Sequence, residues 1–243
     1  MLSKTKALPA LRDRFADVHK GIASAARAVG RSPDEITLVA ITKTHPVETL
    51  KAAIDLGAKD LGENRVQEAE QKIVALGRDA VRWHLVGHLQ ANKARRAVQL
   101  FDVIHSLDSD GLAERLDRLC TDEGKPSLDV LLQIDLGGEK TKSGLQAAAL
   151  PSLLSTLQHC PRLHLRGLMT LPPYFENPDC SRPFFKTLRE LRDELQAQGH
   201  FGAANGDLSM GMSHDFQVAI EEGATMIRVG TSLFGERHPG ESI

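Results

Sequence analysis

Eight times in succession this sequence passes from a short apolar or β-branched run to apolar residues spaced three and four apart. The runs lie at 36–42, 60–63, 82–86, 102–106, 128–134, 163–169, 207–210 and 226–229. A strand followed at once by a helix returns the chain to the same end of a sheet, so the next strand pairs in parallel. The eight units occupy about 210 residues, close to the ~250 typical of a (β/α)8 barrel. An open doubly wound sheet is the alternative. Even spacing, and the lack of G-x-G-x-x-G after the first strand, weigh against it. One further helix precedes the first strand, with Leu11, Phe15, Val18, Ile22, Ala25 and Val29 on one stripe and Gly30 as its stop.

The expected fold class is therefore α/β, a single (β/α)8 TIM barrel with an extra N-terminal helix. No linker or low-complexity run divides the 243 residues. One domain over 1–243 is expected, with residues 1–30 as a helix packed on the barrel. A net charge of −2 offers no basic field for nucleic acid or an acidic membrane surface, and no apolar run is long enough to span a bilayer. The first ten residues lack an apolar segment and a cleavage pattern, so a cytoplasmic location is expected. Cys120, Cys160 and Cys180 are scattered without metal-like spacing and read as reduced thiols.

On a barrel, ligand groups come from the carboxyl ends of the strands. Lys43 ends the first run. Apolar surroundings there would favour a neutral amine able to form a Schiff base with an aldehyde, while the bland reading is a solvated strand-end lysine. Met210-Gly-Met-Ser213 and Gly230-Thr231 follow the seventh and eighth runs and open helices. Exposed backbone N–H groups at such positions suit phosphate. Ser213 could add a hydroxyl and cap its own helix, or the serine could be a cap alone and the glycines mere turn residues. Arg228 interrupts an apolar strand and should point into the mouth. It could donate to an unprotonated ring nitrogen, or pair with a carboxylate such as Asp135. An amine facing a phosphate site suggests pyridoxal 5′-phosphate or a sugar-phosphate aldolase.

Several pieces carry a resemblance. Thr42-Lys43-Thr44, Gly62-Glu-Asn-Arg-Val-Gln-Glu68, Trp83-His-Leu-Val-Gly-His-Leu-Gln-Ala-Asn-Lys93, Ile104-His-Ser-Leu-Asp108, Gly138-Glu-Lys-Thr-Lys-Ser-Gly144, Arg166-Gly-Leu-Met-Thr170, Leu208-Ser-Met-Gly-Met-Ser-His-Asp215 and Ile227-Arg-Val-Gly-Thr-Ser-Leu-Phe-Gly235 occur in this order. In register over 36–235, they resemble the pyridoxal phosphate homeostasis protein family (the YggS/PROSC type). The resemblance implies an alanine racemase N-terminal-like, fold-type III barrel carrying pyridoxal phosphate (PLP) as a Schiff base on Lys43. By the same match Ser213, Gly230 and Thr231 would hold the phosphate, Arg228 would face the ring nitrogen, and Asn64 and Met210 would lie beside the cofactor. His88 and Gln90 would line the entrance. Asp135 departs from the asparagine of many relatives, and Thr42 from their serine.

Racemases of this fold add a β-rich domain that supplies a tyrosine as opposite base. Here the chain runs eight residues past Gly235, and Tyr174 is its one tyrosine. Racemisation needs an acid–base group on each face, and an arginine at the ring nitrogen discourages the pyridinium electron sink. The expected role is a carrier without a second catalytic base, which buffers or delivers PLP in vitamin B6 homeostasis. PLP-dependent apoenzymes or PLP-synthesising enzymes are its candidate exchange partners. A weak amino-acid racemase or lyase, and a Schiff-base aldolase, stay open as alternatives. Elsewhere, His45 reads as a loop histidine, Glu63 as a paired strand-end carboxylate or a base, the 139–142 loop as a solvated turn or a gate, and 236–243 as a frayed tail.

Overall fold

The computed structural model describes residues 4–138 and 144–236. Eight parallel strands follow one another around a closed barrel: β1 (Thr37–Ile41), β2 (Asp60–Glu63), β3 (Arg82–Leu85), β4 (Val103–Leu107), β5 (Leu128–Gln133), β6 (Leu163–Met169), β7 (Asp207–Met212) and β8 (Met226–Val229). β8 closes on β1 with Val39 beside Arg228 and Ala40 beside Val229. Helices intervene at α2 (Val47–Asp55), α3 (Val66–Leu76), α4 (Ala94–Leu100), α5 (Asp110–Asp122), α6 (Leu150–Leu157), α7 (Arg182–Ala197) and α8 (Phe216–Glu221), and α9 (Thr231–Phe234) follows β8. The expected TIM barrel is thus observed.

The additional helix, α1 (Lys4–Ala28), lies against α8 and α9. Its buried stripe, Leu11, Phe15, Val18 and Ile22, faces the barrel. The Phe15 ring meets Phe234 edge-on at 6.4 Å, and Arg14 Nη1 donates to the Phe234 carbonyl at 3.4 Å. α1 therefore backs the short helix that follows β8.

Two apolar zones result. The larger one fills the layer between strands and helices, where Trp83, Phe101 and Phe185 are wholly buried. The smaller one is inside the barrel, where Val103, Leu131, Met169 and Met226 form one packed layer. Adjacent strand residues alternate between these zones because side chains along a strand have period two. No helix among the described residues is long and apolar enough to cross a membrane.

Some boundaries differ from the sequence reading. β7 runs on to Met212, two residues beyond the expected end. The helix expected from residue 91 begins with a 3-10 turn, Ala91–Lys93. On α7 the fully buried aromatic is Phe185, while Phe184 is half-buried and stacks on Phe175 at 5.8 Å. The 139–142 loop and the tail from 237 onward lie outside the described residues. Phe185→Ala should cost roughly 3–5 kcal/mol in urea unfolding, as aromatic truncations in cores do, and Phe184→Ala clearly less. Equal losses would show that the α7 face is misread.

Candidate functional site

The carboxyl ends of β1, β7 and β8 meet at one place on the barrel mouth. Val39 and Ile41 project inward from β1 and pack with Val86. By the same alternation Lys43, two residues beyond the strand, lies on the inward side, and it is half-buried. Glu63, at the end of β2, faces the other way. It is wholly buried, and its Oε1 receives a hydrogen bond of 2.6 Å from Lys72 on α3. Of the two readings of Glu63, the paired carboxylate is the observed one. Burial nonetheless raises its pKa against the pull of Lys72.

Beside β1, the segments after β7 and β8 form a cup of backbone amides. Ser213 Oγ accepts from Gly230 N at 3.1 Å and from Ser232 N at 3.2 Å, and Ser232 Oγ returns a hydrogen bond to the Ser213 carbonyl at 3.2 Å. The expectation that Ser213 caps its own helix is therefore corrected. That N-cap is Asp215, whose carboxylate accepts from Met212 N at 2.7 Å, and the serine hydroxyl instead organises the turn that opens α9. Thr231 begins α9, so its amide has no intrahelical acceptor. Of its two glycines, one permits a close approach. Gly211 has φ of 88°, and a Cβ there would come within 2.5 Å of Ala219 Cβ, while a Cβ on Gly230 would sit 3.4 Å from Ile41 Cβ. The cup is thus built of main chain, its Gly230 and Ser232 amides bonded to Ser213 Oγ, and it adjoins Ile41 at the end of β1.

Arg228 rises inside the barrel below the cup and is 4% exposed. Its Nη1 donates to Ser209 Oγ at 2.7 Å and its Nη2 to the Thr170 carbonyl at 2.9 Å. Asp135, the partner considered from sequence, instead accepts from Gly137 N at 3.1 Å and Gly138 N at 3.0 Å. An asparagine Oδ1 could accept the same bonds. Burial pushes the Arg228 pKa down from the usual guanidinium range to about 10, with Asp215 opposing. The guanidinium remains a cation at neutral pH, held in plane by two neutral acceptors.

From Arg228 a hydrogen-bonded chain crosses the barrel. Ser209 Oγ lies 2.9 Å from His105 Nδ1, His105 Nε2 lies 2.8 Å from His84 Nδ1, and His84 Nε2 lies 2.8 Å from Asp60 Oδ1. The two ends set the tautomers, because a guanidinium only donates and a carboxylate only accepts. His84 donates from Nε2 to Asp60, His105 donates from Nε2 to His84, and Ser209 donates to His105 Nδ1. Both imidazoles are neutral in this order. Burial lowers the His84 pKa against Asp60, and it lowers that of His105 well below 6.5, with the Arg228 cation adding to the effect.

The other expected site residues are less central. Asn64 is half-buried just past β2. Met210 is wholly buried in the helix-side core with Leu208, so its thioether packs away from the barrel interior that Ser209 faces. A place beside a cofactor would fall to its main chain. His88 is exposed, with Nδ1 3.5 Å from Asp108, and Gln90 is exposed nearby. His45 lies on Phe234 of α9 at 4.8 Å. Tyr174, 75% exposed, stacks on His214 at 5.3 Å. Sequence reading placed Ser209 among the strand-end residues but missed Lys72, His84 and His105. The signal for the two histidines was their period-two position in line with inward neighbours.

A closed parallel barrel with a lysine at the end of its first strand and an amide cup after its last two is the barrel of the alanine racemase N-terminal domain, and the model of that domain matches residues 22–238. The chain belongs to the pyridoxal phosphate homeostasis protein family. It is 43% identical to the protein of that name from Aquifex aeolicus over 225 residues, spanning 93% of this chain and 97% of the relative. It is 40% identical to the Escherichia coli protein over 230 residues, spanning 92% and 95%. Among solved structures, PipY of Synechococcus elongatus with PLP bound superposes with a TM-score of 0.80 at 39% identity, over 93% of this chain and 100% of PipY.

The histidine pair generates a pH test. Its folded pKa values lie below the unfolded 6.5, so the unfolded chain takes up protons that the folded chain refuses. Stability is then full above 6.5 and falls as pH drops from there toward the folded values. Urea unfolding at a series of pH values should show this slope, and His105→Gln should flatten it. An unchanged slope in that variant would remove His105 from the account.

Proposed function

We propose that this chain binds pyridoxal 5′-phosphate reversibly through Lys43 and serves the homeostasis of that cofactor, as the name of its relatives describes. One observation carries the reading. Lys43 lies two residues beyond β1, the strand that pairs with β8, and the turn after β8 is organised by Ser213, with the buried Arg228 on β8 itself.

The residues present fit such a group. Gly211, with φ of 88°, leaves no room for a Cβ without crowding Ala219, whereas a Cβ on Gly230 would meet Ile41 at an ordinary 3.4 Å. Ser213, Gly230 and Thr231 would hold the phosphate, supplying a hydroxyl and amides at a helix start. Arg228, fixed by Ser209 and the Thr170 carbonyl, would donate to the ring nitrogen. Asn64 and the Met210 main chain would flank the ring. When bound, PLP supplies an aldehyde that condenses with a primary amine and releases water. Lys43 provides that amine, and the apolar floor of Val39, Ile41 and Val86 excludes water beneath it.

An arginine at the ring nitrogen cannot accept a proton from it or stabilise a protonated ring, which supports storage and delivery over carbanion chemistry. Residues 1–243 would act as one domain in the cytoplasm, with the helix of 1–30 as a prop. PLP-dependent apoenzymes or PLP-synthesising enzymes would be its exchange partners. A second reading, a weak amino-acid racemase or lyase, draws on Tyr174, an ionisable group stacked on the residue next to Ser213. Turnover of an amino acid that is lost in Tyr174→Phe would favour it.

The purified protein incubated with PLP should show a visible absorption band, and borohydride should fix the cofactor's mass on Lys43. Lys43→Ala should lose both. Retention of both in that variant would end the assignment. Ser213→Ala should weaken PLP retention by roughly tenfold, about the worth of one lost hydrogen bond to a charged group. Equilibrium dialysis measures it.

A further inference from the structure

Three irregularities lie at Thr44, next to Lys43, and at the Lys72–Glu63 pair behind it. Thr44 has φ of 67° and is the one non-glycine with positive φ among the described residues. For a β-branched side chain this left-handed backbone is strained. Lys72 and Glu63 form an ion pair with side chains 3% and 0% exposed, and removing charges from water is costly unless geometry repays it. Glu63 Oε2 is buried without a hydrogen-bond partner, a rarity in folded proteins.

The bonds explain why these features sit together. Lys72 Nζ donates to the Thr42 carbonyl at 2.6 Å, to Glu63 Oε1 at 2.6 Å and to Glu68 Oε1 at 2.7 Å. Lys72 and Glu68 are one turn apart on α3. The Thr44 amide donates to the same Glu68 oxygen, and the Thr42 hydroxyl donates to Glu63 Oε1 at 2.5 Å. One ammonium thus pins residue 42 directly and residue 44 through Glu68, on both sides of Lys43. An ammonium has three protons and no lone pair, and all three are engaged. Lys72 cannot compete for an aldehyde while so bound. Left to local sterics, Thr44 would relax to negative φ, and backbone strain of this kind persists only where the surroundings enforce it.

We infer that Lys72, Glu63 and Glu68 form a positioning clamp that holds residues 42–44 in the conformation presenting the Lys43 amine to the barrel mouth, and thereby sets how fast that amine captures an aldehyde. The inference rests on the reading of Lys43 as the covalent attachment point. Lys72 acts through the main chain and touches no ligand, so it is a positioning residue. The three acidic and basic side chains come from β2 and α3, and the backbone they hold comes from the end of β1.

The test uses the full chain and PLP as the probe. Rapid mixing follows growth of the visible band, and amide exchange of the cofactor-free protein follows the Thr44 N–H. Lys72→Met and Glu68→Met should each slow capture about tenfold, the size of effect expected from releasing a modest strain. Both should also remove Thr44 exchange protection, while borohydride still fixes the adduct on Lys43. Adding Thr44→Gly to either variant should restore most of the rate, because glycine enters the left-handed region without a clamp. A merely structural lysine would show no such rescue. Glu68 is 23% exposed, so Glu68→Met serves if Lys72→Met fails to fold. Parental capture rates in Glu68→Met, or no recovery on adding Thr44→Gly, would overturn the clamp. If the unmodified protein forms no adduct on Lys43, the functional reading fails instead, and the exchange of Thr44 still judges the clamp.

Discussion

Closure of the sheet by β8 on β1 is the contact on which the site depends. The pairing of Val39 with Arg228 and of Ala40 with Val229 joins the first strand to the last. It brings Ile41, two residues before Lys43, beside Gly230, although most of the chain separates them. Parallel strands lie about 4.8 Å apart, so an amine on one strand end and a main-chain cup on the next are within reach of a single small molecule. α1 strengthens the seam from outside by bearing on α9 through Phe15 and Arg14. The helix that precedes the barrel in sequence thus supports the segment that follows it.

Inside the seam, charge is managed by direction and not by pairing. Arg228 has no carboxylate among its hydrogen-bond partners in the described residues. Its two acceptors are neutral, and one of them passes the polarity on through His105 and His84 to Asp60. A buried cation without a direct counter-ion is costly, which agrees with the lowered Arg228 pKa. Neutral, oriented donors and acceptors reduce that cost in a low-dielectric interior. On the other side of β1, the opposite solution is used. There Lys72 is saturated by three acceptors, two of them carboxylates.

Much of this was legible in the residues. The barrel followed from eight alternations of period, and β2, β6 and β8 have the limits that their runs suggested. Lys43 and Arg228 stood out because each breaks an apolar run at the carboxyl end of a strand. The relay was not legible in the same way. His105 and Ser209 are 104 positions apart, and their meeting depends on the stagger of strands around the barrel, which no single strand encodes. Ser213 misled for a local reason. A serine before a helix reads as that helix's cap, yet its amide partners come from the turn after β8. Lys72 was hidden because a lysine on an amphipathic helix reads as solvated, and only the rotation of α3 reveals that it faces inward.

The relay through the barrel floor carries a consequence for the molecule's two faces. Its donor order is set by its termini, so no link can reverse alone. Replacing Asp60, which is 16% exposed near the amino ends of the strands, by a side chain that donates would reverse the first link. His84 and then His105 would have to exchange tautomers in step, and the Ser209 hydroxyl would have to seek another acceptor beside Arg228. The rear of the barrel is therefore in electrical contact with its front, as the two ends of one wire of aligned dipoles.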